Sequence, residues 1–305
     1  MEDTILITGA TGFIGSHIAR ALVFEGKDVT VLCRSFSNTN LISDILDHVR
    51  RVDLDQLPLT EALAGNKVAG VVHLATNYDQ DESQTEEIFK TNLLLPIQLL
   101  DFAVTRQAKF FINTDSFFCK PQFAYPHMLS YTYSKQCFLG WARKSAAKIH
   151  ISSLQLEHVY GPADGPKKFV STILRQLMNP SVTEINLTEG RQKRDFVYIS
   201  DVVDAYLRVI KNAENANYGF TTYEVGTGES IEIRHFIELL RNVTDSKANL
   251  VFGAIPYRIE EIMNSRANLT ALNALGYHPM TGIEMGIQKI VKSAQQLRSG
   301  SINDN

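Results

Sequence analysis

The sequence predicts an α/β protein built on a doubly wound parallel sheet, with a smaller lobe towards the C-terminus. Two observations support this prediction. Short β-branched and apolar runs alternate with amphipathic stretches through the first half of the chain, which is the pattern of successive βαβ units. Beyond Gly161-Pro162 this alternation loosens and turn-forming residues become more frequent, which indicates a second, loop-rich lobe.

The individual elements follow from this alternation. Thr4 to Thr8 is β-branched and apolar and ends in glycines, as a buried parallel strand does. Phe13 to Phe24 places its apolar residues on one helical face and closes at Glu25-Gly26. The other predicted strands are 29–33, 49–54, 70–75, 109–113 and 151–156. The other predicted helices are 86–104 and 134–147.

The organisation predicted from these elements has two parts. Residues 1–160 form a dinucleotide-binding domain of the Rossmann type, to which residues 195–227 return. Residues 161–194 and 228–305 form the smaller, substrate-binding lobe.

Composition narrows the class of protein. The chain has 305 residues, of which 44% are hydrophobic and 21% charged, as in globular domains, and its net charge of −3 offers no basic field for nucleic acid. Three cysteines without C-x-x-C spacing, and histidines without metal-ligand spacing, predict neither disulfides nor a metal site. The apolar runs are too short to span a membrane, and Met-Glu-Asp leads directly into a strand without a signal peptide. A cytoplasmic location is expected.

A glycine-rich turn joins the first strand to the first helix. Its sequence, T-G-A-T-G-F-I-G-S, lets backbone N–H groups approach a pyrophosphate at the positive end of the helix. The position of the motif between a strand and a helix makes it a dinucleotide site. The predicted contacts are Gly9, Thr11, Gly12, Phe13, Ile14 and Gly15.

The end of the second strand indicates which dinucleotide binds. An acidic residue here would bind the ribose 2′-hydroxyl, whereas an arginine suits a 2′-phosphate. Arg34, assisted by Ser35, therefore predicts NADP (NADPH) as the cofactor.

Tyr131 and Lys135 form a Y-x-x-x-K pair on a predicted helix, where a spacing of four places both side chains on one face. A neighbouring ammonium favours the phenolate and makes proton transfer by the tyrosine practical. Tyr133, two residues away, is a competing candidate. Thr114, at the end of the fifth strand, could hydrogen-bond a substrate oxygen while Tyr131 transfers the proton.

Further residues are candidates for binding substrate. Asp115 and Ser116 follow Thr114, although they could equally stabilise a turn. Arg194, in the charged run before Phe196, could clamp a diphosphate, and Arg258 is a weaker candidate for the same role.

Taken together, these motifs resemble the extended short-chain dehydrogenase/reductase family over nearly the whole chain. The family's glycine fingerprint, catalytic Ser/Thr, Tyr and Lys, and R-D-F-V-Y element match in order along this sequence. The resemblance implies Thr114, Tyr131 and Lys135 as catalytic residues and a homodimer. It also implies cofactor contacts at Asp53, Leu54, Leu74, Ala75, Thr76, Asn92, Lys135 and His158.

Some motifs narrow the substrate. N-T-D-S-F-F at 113–118 and L-E-H-V-Y-G-P at 156–162 resemble family members that reduce the 4-keto group of a CDP-linked dideoxyhexose with NADPH. Reductases of dTDP-linked 4-keto-6-deoxyglucose would share most of these residues. Ser116 stands where the family's dehydratases carry a glutamate base, which argues against dehydration. His158 replaces a common asparagine and could contact substrate or be a core histidine.

Two other functions remain open at this point. A 4-epimerase of nucleotide sugars would use the same residues with tightly bound NAD, although Arg34 argues against it. A non-catalytic NADP-sensing protein would not need Thr114, Tyr131 and Lys135.

Overall fold

The computed structural model describes residues 3–65, 67–78, 84–123 and 126–302. The strands are β1 Thr4–Thr8, β2 Val29–Cys33, β3 Arg50–Asp53, β4 Val68–His73, β5 Phe110–Ser116, β6 His150–Leu156, β7 His158–Tyr160, β8 Glu184–Leu187, β9 Lys193–Arg194, β10 Phe196–Tyr198, β11 Gly219–Val225, β12 Ile231–Glu232 and β13 Asn249–Phe252. The α-helices are α1 Phe13–Phe24, α2 Leu59–Ala62, α3 Thr85–Phe89, α4 Leu95–Thr105, α5 Leu129–Ser145, α6 Phe169–Leu177, α7 Ile199–Ala213, α8 Ile233–Thr244, α9 Thr270–Asn273 and α10 Ile283–Ile302.

The chain divides into two compact units. The first unit comprises Met1–Leu156, Val203–Val225 and Thr270–Tyr277. The second unit comprises Glu157–Val202, Gly226–Leu269 and His278–Asn305. In the sequence-based division, 157–160, 195–202 and 226–227 belonged to the dinucleotide domain and 270–277 to the lobe. The structure assigns each of these segments to the other unit.

The first unit is built on a seven-stranded sheet in the order β11-β6-β5-β4-β1-β2-β3. Every neighbouring pair is parallel. Strands β1 and β2 are buried along their whole length, as expected when helices cover both faces of a parallel sheet. The predicted doubly wound fold is therefore confirmed, and the carboxyl ends of β1, β4 and β5 lie along one edge.

Two helices of this unit differ from their predicted bounds. Helix α5 begins at Leu129, not at 134, directly after Met128 in the left-handed region (φ 69°). The predicted helix 86–104 is three segments, since Lys90–Leu94 forms a π-helical turn between α3 and α4. Pro96, in the first turn of α4, has no N–H to donate, so the regular hydrogen-bond ladder is interrupted at this point.

The helical run Thr85–Thr105 has the length and hydropathy of a membrane-spanning segment, although the apolar runs of the sequence were expected to be too short for one. Its C-terminal half buries Leu99, Leu100 and Phe102 in the core of the first unit. Its apolar side chains are therefore used to cover the sheet.

The second unit contains three two-stranded sheets, β7 with β10, β9 with β12, and β8 with β13. Its core is aromatic: the rings of Phe196 and Phe236 stack with centroids 4.0 Å apart, and Tyr160 packs edge-on to both. Asp201 accepts hydrogen bonds from the backbone N–H groups of Met280 (3.2 Å) and Thr281 (3.0 Å) and so fixes the chain before α10.

Candidate active site

The glycine turn in the first unit has the shape that a dinucleotide requires. Gly9 has a positive φ of 71°, and a Cβ at Gly15 would lie 2.1 Å from the Gly9 carbonyl oxygen, so α1 starts against the turn. Gly12 is the N-cap of α1, and none of the described side chains caps it. The first N–H groups of this helix can therefore bind phosphate. Of the other predicted contacts, Thr11 lies on the same turn, and Phe13 and Ile14 are the first residues of α1.

The loop after β4 lies against this turn. The Thr8 hydroxyl accepts hydrogen bonds from the N–H groups of Leu74 and Ala75 (both 3.2 Å) and lies 2.8 Å from His73 Nδ1. Burial, followed by the charge of Lys135, lowers the pKa of His73 to about 3. The neutral imidazole therefore accepts the Thr8 proton, and the His-Leu-Ala segment is fixed beside Gly9.

The edge of β2 and β3 contains the groups predicted to bind the adenosine ribose. Arg34 is exposed and stacks over Phe36 at 4.7 Å, and no described carboxylate pairs with it. Ser35 is already bonded, because both its N–H and its hydroxyl donate to the Asp55 carboxylate at 2.7 Å. Asp53 pairs with Arg51 at 2.8 Å, and Leu54 donates its N–H to the Cys33 carbonyl.

Thr114, Tyr131 and Lys135 come together at the end of β5. Lys135 Nζ donates to the Thr114 carbonyl oxygen at 2.8 Å and lies 5.5 Å from the centre of the Tyr131 ring. Tyr131 is 7% exposed, whereas Tyr133 is 61% exposed. Tyr131 is thus the tyrosine that shares a face with Lys135.

Tyr131 is buried, and its surroundings shift its pKa. Burial, followed by the nearby Cys119 thiol, raises the pKa of Tyr131 well above its usual value, although a hydrogen bond with Ser116 opposes this shift. Burial also lowers the pKa of Lys135. Burial thus favours the neutral phenol of Tyr131, and the Lys135 ammonium donates to the Thr114 carbonyl oxygen. The proposed role of Lys135 in tuning Tyr131 stays a prediction.

Asn92 has a role that the sequence did not reveal. Its Oδ1 accepts from the Asn77 N–H (2.8 Å) and the Thr76 hydroxyl (3.2 Å), and its Nδ2 donates to the Asn77 carbonyl (2.9 Å) and the Ser134 hydroxyl (3.4 Å). The predicted cofactor contact is thus occupied with joining the loop after β4 to α5.

Asp115 and Ser116, predicted to bind substrate, are both buried. The Asp115 carboxyl accepts from Gln155 Nε2 at 3.2 Å, and burial raises its pKa. Ser116 forms a hydrogen bond with the Tyr131 hydroxyl and so lies beside the candidate catalytic tyrosine.

The second unit holds the remaining predicted residues. Arg194 is 5% exposed; its guanidinium forms an ion pair with Glu261 and donates to the carbonyls of Lys193 and Ile262. A clamp on a diphosphate would have to break this pair, whereas Arg258 is exposed. His158 is half-buried against Phe196, and burial followed by the charge of Arg194 lowers its pKa well below the usual value.

Two residues in contact with Thr114 and Ser35 were not predicted from the sequence. Tyr206 on α7 lies 2.6 Å from the Thr114 hydroxyl, and Asp55 occupies the donors of Ser35. The first contact joins residues 92 positions apart and the second joins residues 20 positions apart, so no local motif predicts either of them. Among the described residues, no group of three or more His, Cys, Asp or Glu side chains could hold a metal ion.

A parallel sheet with a glycine turn at β1 and a buried tyrosine–lysine pair at β5 defines a dinucleotide-dependent enzyme. Residues 5–226 match the NAD dependent epimerase/dehydratase family. The chain belongs to this family, and the resemblance predicted from the sequence is confirmed.

Known proteins similar to the chain span its whole length. CDP-abequose synthase of Salmonella muenchen is 36% identical over 294 residues, covering 95% of this chain and 98% of the relative. The Salmonella typhimurium synthase is 36% identical over 298 residues, with 96% and 98% covered. Among solved structures, a UDP-glucose 4-epimerase of Thermotoga maritima has a TM-score of 0.83 at 22% identity, covering 97% of this chain and 99% of its own. A UDP-glucuronic acid 4-epimerase of Bacillus cereus has a TM-score of 0.82 at 21% identity, with 96% and 99% covered.

Proposed function

We propose that the chain is an NADPH-dependent 4-ketoreductase of a nucleotide-linked deoxyhexose, converting CDP-4-keto-3,6-dideoxyglucose to CDP-abequose for O-antigen synthesis. The observation that carries the proposal is the buried Tyr131 phenol, held beside Lys135 and Thr114 with its pKa raised. Two CDP-abequose synthases, each 36% identical over nearly the full chain, support the choice of sugar. The proposal includes a cytoplasmic homodimer.

Each residue has a defined task in this reaction. Reduced nicotinamide supplies, when bound, a hydride for carbon 4 of the sugar. Tyr131 donates its phenolic proton to the keto oxygen, so that the carbonyl becomes an alcohol. Thr114, half-buried at the end of β5, holds the same oxygen by a hydrogen bond. Lys135 fixes the Thr114 main chain at 2.8 Å.

Charged side chains outside this group bind the phosphates. Arg34, which no described carboxylate neutralises, binds the 2′-phosphate of the cofactor. Arg194 and Arg258, both in the second unit, stay the candidates for the diphosphate of the sugar nucleotide.

The direct test is loss of reduced-nicotinamide absorbance with the purified protein. The assay offers NADPH or NADH with CDP-4-keto-3,6-dideoxyglucose or dTDP-4-keto-6-deoxyglucose. We expect rapid oxidation of NADPH with the CDP sugar. Activity with the dTDP sugar alone would support a reductase whose substrate is the dTDP-linked sugar instead of the CDP-linked one. No oxidation of NADPH with either sugar would refute the proposal.

The second candidate is a 4-epimerase of nucleotide sugars. Its support is the Asp55 carboxylate on both Ser35 donors, which disfavours a 2′-phosphate and so favours NAD. Such an enzyme would retain NAD through purification and would interconvert two sugars without an external reductant. Nucleotide released from the denatured protein, identified by mass, distinguishes the two functions.

We expect Asp55→Asn to tighten NADPH binding roughly two- to fivefold and to leave NADH binding unchanged. The reason is that the carboxylate competes with the 2′-phosphate for the Ser35 N–H and hydroxyl. Titration of nicotinamide fluorescence measures both affinities. The matched control is Asp101→Asn, which removes the same charge from an exposed site on α4. Equal changes for NADPH and NADH would contradict the competition.

The pH dependence of reduction follows from Tyr131. A group that donates a proton must be protonated, so its contribution to kcat is full at low pH and is lost as pH rises through its pKa. Burial raises this pKa above the usual value of ~10, so we expect kcat to be constant from about pH 6 to pH 9. A fall of kcat with an apparent pKa of ~7 would show that Tyr131 is not held as a phenol.

A further inference from the structure

The hydroxyl of Tyr206 forms a hydrogen bond with the hydroxyl of Thr114. Tyr206 belongs to the part of α7 in the first unit and is fully buried (0% exposed), and its Oη lies 2.6 Å from Thr114 Oγ1. Burial raises the pKa of Tyr206, so it carries its proton throughout the physiological range. The two hydroxyls together hold two protons, and only one of these can lie between the oxygens.

The surroundings decide which hydroxyl donates. In the described part of the chain, Thr114 is the only hydrogen-bond partner of the Tyr206 hydroxyl. If Thr114 donated, the Tyr206 proton would be buried without an acceptor, which folded proteins avoid. Thr114 is half-buried and can direct its own proton towards a ligand. Tyr206 is therefore the donor and Thr114 Oγ1 the acceptor.

Thr114 is held from a second side by Lys135, which donates to its carbonyl oxygen at 2.8 Å. The main chain and the hydroxyl of Thr114 are thus fixed by different side chains. With its oxygen accepting from Tyr206, the remaining Thr114 proton is available to a keto oxygen, which needs donors and not acceptors.

We propose that Tyr206 is a positioning residue that makes Thr114 a hydrogen-bond donor to the substrate carbonyl. This inference rests on the proposed reductase function for its effect on rate. The orientation of the two hydroxyls can be measured without substrate.

The kinetic test is a double-mutant cycle of Tyr206→Phe and Thr114→Val. Removing one donor to a developing oxyanion lowers kcat about 10²- to 10³-fold, and losing only its orientation should cost less, about tenfold. We expect Tyr206→Phe to lower kcat about tenfold in the wild-type background and not to lower it further in the Thr114→Val background. NADPH affinity and substrate KM should stay near normal. In the Thr114→Ser background, which keeps the hydroxyl, Tyr206→Phe should again lower kcat about tenfold.

Tyr160→Phe is the matched control. Tyr160 is also fully buried, but its hydroxyl has no hydrogen-bond partner among the described residues, so its removal should leave kcat unchanged. An unchanged kcat in Tyr206→Phe, or an equal loss in both Thr114 backgrounds, would overturn the inference.

The substrate-free test uses protein labelled with ¹³C in its tyrosine rings. The Tyr206 Cζ signal, assigned by its loss in Tyr206→Phe, reports the hydrogen bond of the phenol through its shift between H₂O and D₂O. We expect this isotope shift to change in Thr114→Val and to persist in Thr114→Ser. The same shift in all three proteins would show that Tyr206 does not donate to Thr114, whatever reaction the enzyme catalyses. If the labelled protein behaves as expected and no keto sugar is reduced, the proposed function fails while the orientation stands.

Discussion

Replacing Tyr131 with phenylalanine is expected to lower kcat for keto-sugar reduction about 10²- to 10⁴-fold, which is the usual contribution of a general acid. The phenylalanine keeps the ring, whose packing on Tyr78 has centroids 5.2 Å apart, and removes only the hydroxyl that meets Ser116. The glycine turn and Arg34 are untouched, so NADPH affinity should remain near normal. Stopped-flow oxidation of NADPH and a fluorescence titration measure the two quantities separately.

Tyr133→Phe is the matched control for this substitution. It removes the same hydroxyl from the same helix, two residues away, but from a side chain that is 61% exposed. Its kcat should be that of the wild type. Full turnover in Tyr131→Phe, or equal losses in the two variants, would remove Tyr131 from the mechanism.

The sequence was sufficient to predict that Thr114, Tyr131 and Lys135 come together, because each lies on an element with strong local signals. β5 is a run of apolar and β-branched residues, and the spacing of Tyr131 and Lys135 places them on one helical face. The same spacing favours Tyr131 over Tyr133, which lies only two residues from Lys135. Helix α5 starts five residues before its predicted start, after the left-handed Met128, and the resulting packing buries one tyrosine and exposes the other.

What the sequence could not supply was the set of partners of each polar side chain. Asn92 and Ser35 were both predicted to bind cofactor, yet their hydrogen bonds go to Asn77 and to Asp55. These contacts depend on how loops are folded over the ends of the strands, and loops carry weaker sequence signals than buried strands. The pKa of Tyr131 could not be predicted from the sequence either, because it depends mainly on burial.

In the R-D-F-V-Y element, the partners of the two charged residues could not be predicted from the motif. Arg194 was expected to bind a diphosphate, but its guanidinium pairs with Glu261 within the second unit. The neighbouring Asp195 received no role from the sequence. It is fully buried (0% exposed), and its carboxylate is the centre of a hydrogen-bond network in that unit.

Asp195→Ala is therefore expected to destabilise the second unit by about 3–5 kcal/mol, because it removes a buried carboxylate to which several buried groups donate hydrogen bonds. The carboxylate accepts from the N–H groups of Thr227 (2.8 Å), Gly228 (2.9 Å) and Ala267 (3.0 Å) and from the Thr227 hydroxyl (2.7 Å). Alanine would leave the three N–H groups without an acceptor, whereas the Thr227 hydroxyl also donates to the Glu229 carbonyl at 3.1 Å. Urea unfolding followed by circular dichroism measures the free energy of unfolding.

Asp204→Ala is the matched control for this stability effect. Asp204 lies on the surface of α7, where it pairs with Arg208 four residues later at 2.7 Å, and such exposed pairs contribute about 0.5 kcal/mol or less. A loss in Asp195→Ala no larger than in Asp204→Ala would show that the N–H groups find other acceptors. A loss several times larger would establish that the aspartate of this element acts by holding together three segments around 195, 227 and 267. The role of this aspartate would then be to stabilise the second unit, and its presence in a sequence would not by itself indicate substrate binding.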